Sequence, residues 1–157
     1  MTPSIDIRPE RPEDAAVIEA VVAGAFGPGR LAKTAERLRE RGRFRPDLSF
    51  TAWSDERLFG TVRLWSVRVG EQPVVFLGPI AVERRRRGGG VGARLVQAAL
   101  DASATAGETA VLLVGDTSFF APLGFSLAYG IILPGPVDPS RILINALAGA
   151  PPRGQVR

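Results

Sequence analysis

Arg87-Gly88-Gly89-Gly90-Val91-Gly92 joins an apolar, strand-like run at 74–82 to a helical pattern that begins near Gly90. Glycines at such a junction reach backbone conformations closed to other residues and let a ligand approach without meeting a Cβ. The helix behind them adds free N–H groups and the positive end of its dipole, which together favour a phosphate or pyrophosphate. Arg84, Arg85, Arg86 and Arg87 lead into the turn. A guanidinium fork suits phosphate through charge-assisted hydrogen bonds. A charge run also marks solvated surface, so Arg84 to Arg86 carry both readings, and a run without interleaved aromatics is a poor footprint for nucleic acid.

The residues that are missing narrow the chemistry. The 157-residue chain has no cysteine and no histidine. That removes disulfides, thiolate nucleophiles, the commonest general base and the commonest ligands for transition metals, so no metal site is expected. Serine–histidine and cysteine–histidine hydrolases are excluded. Lys33 is the only lysine among the 20 basic residues, and the net charge of +4 is carried almost wholly by arginine. The length and the 45% hydrophobic content allow one domain with a real core, expected over 1–150 and followed by a flexible, proline-rich tail at 151–157. No run approaches the roughly 18 apolar residues of a membrane span, and no signal-peptide pattern is visible, so a cytoplasmic setting without a membrane partner is expected.

The elements around the turn set its context. Residues 4–8 read as a strand, and an acidic start at Arg11-Pro12-Glu13-Asp14 leads into a helix over 15–26. A second helix is expected at 31–41, where Leu31, Ala35 and Leu38 keep helical spacing. Segments 48–53, 58–69 and 74–82 read as three strands of an antiparallel meander. Beyond the turn, Val91, Leu95, Val96, Ala99 and Leu100 mark a helix that stops at Ala106-Gly107. A buried strand at 110–114, a short helix at 117–123, a strand opened by Gly124-Phe125 and a last strand at 141–147 complete the chain.

Three phosphate-binding patterns compete for the turn. A P-loop needs lysine and then serine or threonine after its glycines, whereas Ala93 and Arg94 follow Gly92. Gly88-x-Gly90-x-x-Ala93, with Glu108 further on, matches the letters of a dinucleotide fingerprint. That pattern usually opens its domain, while this turn follows a meander and leaves little chain for more parallel strands. The third pattern fits both letters and context. Leu77-Gly-Pro-Ile-Ala-Val82, a four-residue gap and Arg87-Gly-Gly-Gly-Val-Gly92 before an apolar helix resemble motif A of the GCN5-related N-acetyltransferases, Arg/Gln-x-x-Gly-x-Gly/Ala. Element order agrees over nearly the whole chain. The stretch from Leu113-Val-Gly-Asp116 to Phe119-Phe120-Ala-Pro-Leu-Gly124-Phe125 resembles the YhbS-like branch of that family.

The resemblance implies an α/β fold with a mixed, mostly antiparallel sheet of six to seven strands and about four helices. It also implies acetyl-coenzyme A as cosubstrate and an amine, on a small molecule or a peptide, as acceptor. Ile80, Ala81 and Val82 would line a splayed strand edge that pairs with the pantetheine arm, with the Val82 N–H as oxyanion donor. Arg87, Gly88, Gly89, Gly90, Val91, Gly92 and Ala93 would hold the pyrophosphate, and Phe119 and Phe120 would pack against the coenzyme or the core, with Phe120 counted among the coenzyme-binding residues. The chain departs from the family where a tyrosine commonly protonates the departing thiolate, because Phe120 occupies that position and Phe119 also lacks a hydroxyl. Thiols have pKa values of about 8.5, so water or Ser118 can supply that proton. Glu71, Glu83 and Asp116 lie near the relevant elements but read as turn or surface residues, with Asp116 as a helix cap. Without cysteine a thioester relay is closed, and transfer is expected to be direct within a ternary complex. An acyl-coenzyme A-binding module without strong catalysis is the second reading, a dinucleotide-binding domain the third. The final strands and the surfaces around Trp53 and Trp65 are candidates for a homodimer contact.

Overall fold

The structure is a computed structural model and describes residues 4–26 and 42–157. Strand β1 (Asp6–Pro9) leads through a 3-10 turn at Pro12–Asp14 into helix α1 (Ala15–Phe26). Proline suits that entry because the first helical positions need no amide donor. Asp14 closes it by accepting from the Arg11 backbone N–H at 2.9 Å. The helix expected at 31–41 lies outside the described residues.

Strands β2 (Arg43–Phe44), β3 (Phe50–Ser54), β4 (Arg57–Val69) and β5 (Gln72–Val82) follow, the last three as the expected antiparallel meander. The strand expected from 48 begins two residues later because Pro46–Leu48 forms a 3-10 turn. Helix α2 (Val91–Thr105) ends where Gly107 takes φ +84°, the expected stop. Next come β6 (Ala110–Val114), α3 (Thr117–Phe120) with a 3-10 turn at Ala121–Leu123, β7 (Ser126–Leu127), β8 (Ile131–Ile132), β9 (Ile142–Ala146) and β10 (Gly154–Gln155). The main sheet runs β1-β3-β4-β5-β6-β9-β7, with β2 added against β4. Its eight strands exceed the expected six to seven because the two-residue β2 pairs as well. Only β5 and β6 run parallel in it among the described residues, which does not fit the parallel sheet of a dinucleotide-binding domain.

Side-chain alternation sorts the core into two layers. Val62, Leu64, Val75, Leu77, Val111 and Leu113 face α2. On the opposite face α1 covers one end of the sheet through Ile18, Val21 and Val22 against Leu58 and Ala81. The other end of that face carries Val67, Val69, Val74, Phe76, Leu112 and Ile144, covered by Ile131, Leu133 and Val156. Here the structure corrects the expectation of a frayed tail. β10 pairs with β8, and Arg157 exchanges both backbone hydrogen bonds with Arg68 at 2.8 Å. Val156 is 3% exposed, so the tail closes an apolar patch that α1 does not reach.

Two ion-pair clusters tie segments across the sheet. Arg63 on β4 holds Glu10 with two hydrogen bonds, 2.9 and 3.1 Å, beneath α1. Arg45 binds Asp47, Ser66 and Glu108, joining the entry to β3 with the segment after α2. Its guanidinium lowers the Asp47 pKa below the ordinary value. That contribution to stability is present above the unfolded aspartate pKa and is lost as pH falls through the lowered folded value. Both tryptophans are half-buried and make contacts within the chain. Trp53 Nε1 donates to Thr51 Oγ1 at 2.8 Å and its ring lies under Arg8, while Trp65 packs on Phe44 with centroids 5.1 Å apart. Among the described residues no helix is long and apolar enough to cross a membrane.

Candidate functional site

The site begins with a change of parity in β5. Val75 and Leu77 face α2, and so do Ile80 and Val82, which requires one extra residue between Leu77 and Ile80. The register supplies it: Val62 faces Ile80 and Leu64 faces Leu77, so Arg63 alone stands opposite Gly78 and Pro79. A bulge of this kind bends its strand and interrupts pairing. The ladder from β5 to β6 indeed stops at Phe76 and Leu112, although β6 continues to Val114 and pairs there with β9. The Gly78 carbonyl, at the point of departure, accepts from Trp65 Nε1 at 2.6 Å. The indole thus supplies the partner that the sheet withholds.

From there to its end β5 has a free edge. Glu83 N–H donates to Phe59 O at 2.9 Å, which makes Val82 and Gly60 a non-hydrogen-bonded pair. Alternation along the strand then turns the backbone groups of Ile80 and Val82 away from β4 and into the gap left by β6. Arg87 Nε donates to Val82 O at 3.1 Å, leaving the Val82 N–H to face the gap. Ala81 points the other way, its side chain buried beneath α1.

The glycine turn stands at the end of this edge. Gly88, Gly89 and Gly90 take φ of +99°, +64° and +75°, a run that side chains would strain. A Cβ at any of the three would meet nothing within 4 Å, so the space over the turn is open. Gly90 is the N-cap of α2 and has no side-chain cap; the first helical bond is Arg94 N–H to Gly90 O at 2.9 Å. The N–H groups of Val91, Gly92 and Ala93 therefore have no acceptor within the helix. Three convergent donors at a helix N-terminus, over an open cradle and beside arginine, fit a pyrophosphate.

The far wall is aromatic. A Cβ on Gly92 would lie 3.3 Å from Phe119 Cζ and 3.9 Å from Ile80 Cδ1, so helix start, exposed ring and free strand edge converge at one point. Phe119 is 41% exposed and Phe120 only 6%. The two rings meet edge to face at 4.7 Å, and Phe120 packs on into Phe125 at 5.6 Å. Of the two alternatives, coenzyme or core, Phe120 takes the core, and Phe119 is the ring that faces the gap. Helical geometry explains it, since consecutive residues of α3 point about 100° apart and only one can look outward. Asp116 caps α3 as expected, accepting from Ser118 N–H at 3.2 Å, and Ser118 itself is exposed beside Phe119.

Of Glu71, Glu83 and Glu108 only Glu83 adjoins the site, since Glu71 precedes the opposite end of β5 and Glu108 follows the far end of α2; all three have partners. Glu83 pairs with Arg57 at 2.8 Å and Glu71 with Arg157 at 2.7 Å, while Glu108, considered for a ribose, is held by Arg45. The only tyrosine of the chain, Tyr129, is exposed.

Comparison with known proteins agrees with this geometry. The Acetyltransferase (GNAT) family matches residues 17–125. An N-acetyltransferase of Escherichia coli K12, YhbS, is 34% identical over 125 residues, covering 78% of this chain and 74% of that protein. The crystal structure of E. coli YhbS in complex with CoA superposes with a TM-score of 0.83 at 30% identity, covering 99% of this chain and 90% of that one. A GNAT family acetyltransferase from Brucella melitensis in complex with acetyl-CoA gives a TM-score of 0.75 at 26% identity, with 99% and 96% covered.

Proposed function

The chain belongs to the GNAT acetyltransferase family, and on that premise we propose that it moves an acetyl group from acetyl-CoA to a primary amine by direct attack in a ternary complex. The observation that carries this reading is the free edge of β5, with the backbone of Ile80 and Val82 facing a gap that opens on the uncapped start of α2. Acetyl-CoA brings an activated thioester, and the chain's residues bind and orient it. The N–H groups of Val91, Gly92 and Ala93, with Arg87 and the glycines before them, hold the pyrophosphate. Ile80 and Val82 pair with the pantetheine arm, and Phe119 lies along it. The Val82 N–H meets the negative charge that develops on the thioester oxygen as the amine attacks. A carbon–nitrogen bond forms, the carbon–sulfur bond breaks, and the amine loses a proton to solvent. The thiolate takes a proton from water or from Ser118.

A second reading is a coenzyme-binding module with weak or lost catalysis. The pair Phe119 and Phe120 favours it, because neither ring has a proton to give. Both readings expect acetyl-CoA to bind, and release of free thiol with an amine panel separates them. We expect amine-dependent thiol release whose rate rises with pH as the acceptor deprotonates. Tight binding with no release for any amine would leave the module. Ser118→Ala then locates the proton: kcat falls if the hydroxyl supplies it and holds if water does.

The bulge offers a finer test. Trp65→Phe keeps the ring and removes the N–H that holds Gly78 O. A carbonyl left without its partner costs about 1–3 kcal/mol. With the carbonyl released, β5 is free to re-pair with β6 and narrow the gap. The expected result is a several-fold rise in KM for acetyl-CoA and a lower kcat, together with a small loss in urea stability. An equal stability loss with unchanged kinetics would make Trp65 a packing residue only.

A further inference from the structure

The arginine run is only partly used by this site. Arg87 binds Val82 O, and Arg86 lies over the Phe59 ring, its Cζ 4.8 Å from the centroid. Arg84 and Arg85 have neither a carboxylate nor a ring partner among the described residues. Both stand on the rim of a cavity of about 650 Å³ on the α1 face of the sheet. Its floor is apolar, formed by Val17 and Val21 of α1 with Trp53 and Leu58. Val17 is 46% exposed, a large aliphatic left open on a helix that buries Ile18, Val21 and Val22. The carboxylates on the rim already have partners: Glu83 accepts from Arg57 at 2.8 Å and Glu56 from Arg8 at 3.4 Å. The charge left over is that of two guanidinium groups above an apolar floor. This cavity is distinct from the gap beside β5, since it lies on the face to which Ala81 points, whereas Ile80 and Val82 point to the α2 side.

We propose that the cavity is a second binding site, for a small apolar oxyanion: an alkyl or aryl body ended by a carboxylate or a phosphate. The body lies against Val17, Val21 and Leu58, and the head group sits between Arg84 and Arg85. The volume falls within the range of small-ligand pockets, about 300–1,000 Å³. A planar guanidinium presents paired donors that match the two oxygens of such a head group. A neutral or cationic amphiphile would leave both guanidiniums without a counter-charge.

The test is calorimetric titration of the full chain with octanoate and with octyl phosphate at fixed ionic strength, with octanol and acetate as controls. Saturable binding of at least one anion at one site per chain is expected. Octanol, without the charge, and acetate, without the body, should bind at least about tenfold more weakly. Arg84→Ala/Arg85→Ala and Val17→Asp should each weaken the anion at least about tenfold while acetyl-CoA affinity stays unchanged. Preference for octanoate identifies a carboxylic acid ligand, and preference for octyl phosphate a phosphorylated one. Three results would overturn the proposal: no saturable binding of either anion, acetate matching octanoate, or undiminished binding in both variants. If Arg84→Ala/Arg85→Ala weakened acetyl-CoA instead, the two arginines would belong to the coenzyme site and the second site would fall.

Discussion

Gly90→Val should weaken acetyl-CoA binding by at least about tenfold while the chain stays folded. Gly90 has φ +75° at the N-cap of α2, and a side chain there would touch nothing within 4 Å, so no clash is involved. The penalty is conformational. A left-handed residue with a Cβ costs about 1–2 kcal/mol, and a branched one is worse placed still. The chain either bears that strain, losing a comparable amount of stability, or relaxes by rotating the turn. Relaxation turns the donors at Val91, Gly92 and Ala93 away from a common point, and binding suffers more than folding. Gly149 is the control, because it has φ +74° and equally open surroundings but lies far along the chain beyond β9. Gly149→Val should cost similar stability and leave binding intact. Calorimetry for affinity and thermal unfolding for stability read the two effects separately. Unchanged affinity in Gly90→Val would count against the placement of the pyrophosphate.

The largest effect on stability is expected from Glu10→Ala. Glu10 is 4% exposed on its side chain and Arg63 13%, joined by two hydrogen bonds. Removing one partner of a buried pair costs about 3–5 kcal/mol, because the remaining charge stays out of water without compensation. Arg63 retains Glu19 at 3.6 Å and the face of Phe44 at 5.0 Å, which places the loss near the lower end. Arg63 also stands opposite the Gly78–Pro79 bulge, so loosening it should disturb the departure of β5 from β6. Urea denaturation gives the stability term. Adding Arg63→Met should restore part of it, since an apolar chain there carries no stranded charge. A loss below about 1 kcal/mol for Glu10→Ala would show the pair to be far better solvated than its burial implies.

How much of this was legible in the sequence depends on the range of the forces involved. The turn at 87–92, the helix behind it, the meander and the cap at Asp116 follow from local chemistry: glycine's freedom, apolar periodicity and a carboxylate within reach of its own backbone. Those features also carried the family resemblance. Gly78-Pro79 inside a strand run was a readable sign of a bulge, since both residues disturb a regular ladder. Other features depend on partners distant in the chain. Nothing local says that Trp65 will hold Gly78 O, that Glu10 will meet Arg63, or that the polar-looking tail will find β8 and cover Val69. Nor does adjacency tell Phe119 from Phe120; the hydrophobic surface that swallows one ring and leaves the other facing the gap exists only once β6, α2 and α3 have packed. The sequence by itself determined the anion-binding turn, because backbone conformation and helix termini are local properties. The gap beside that turn was decided by the tertiary structure, because a strand leaves its neighbour only when long-range contacts satisfy the groups it exposes.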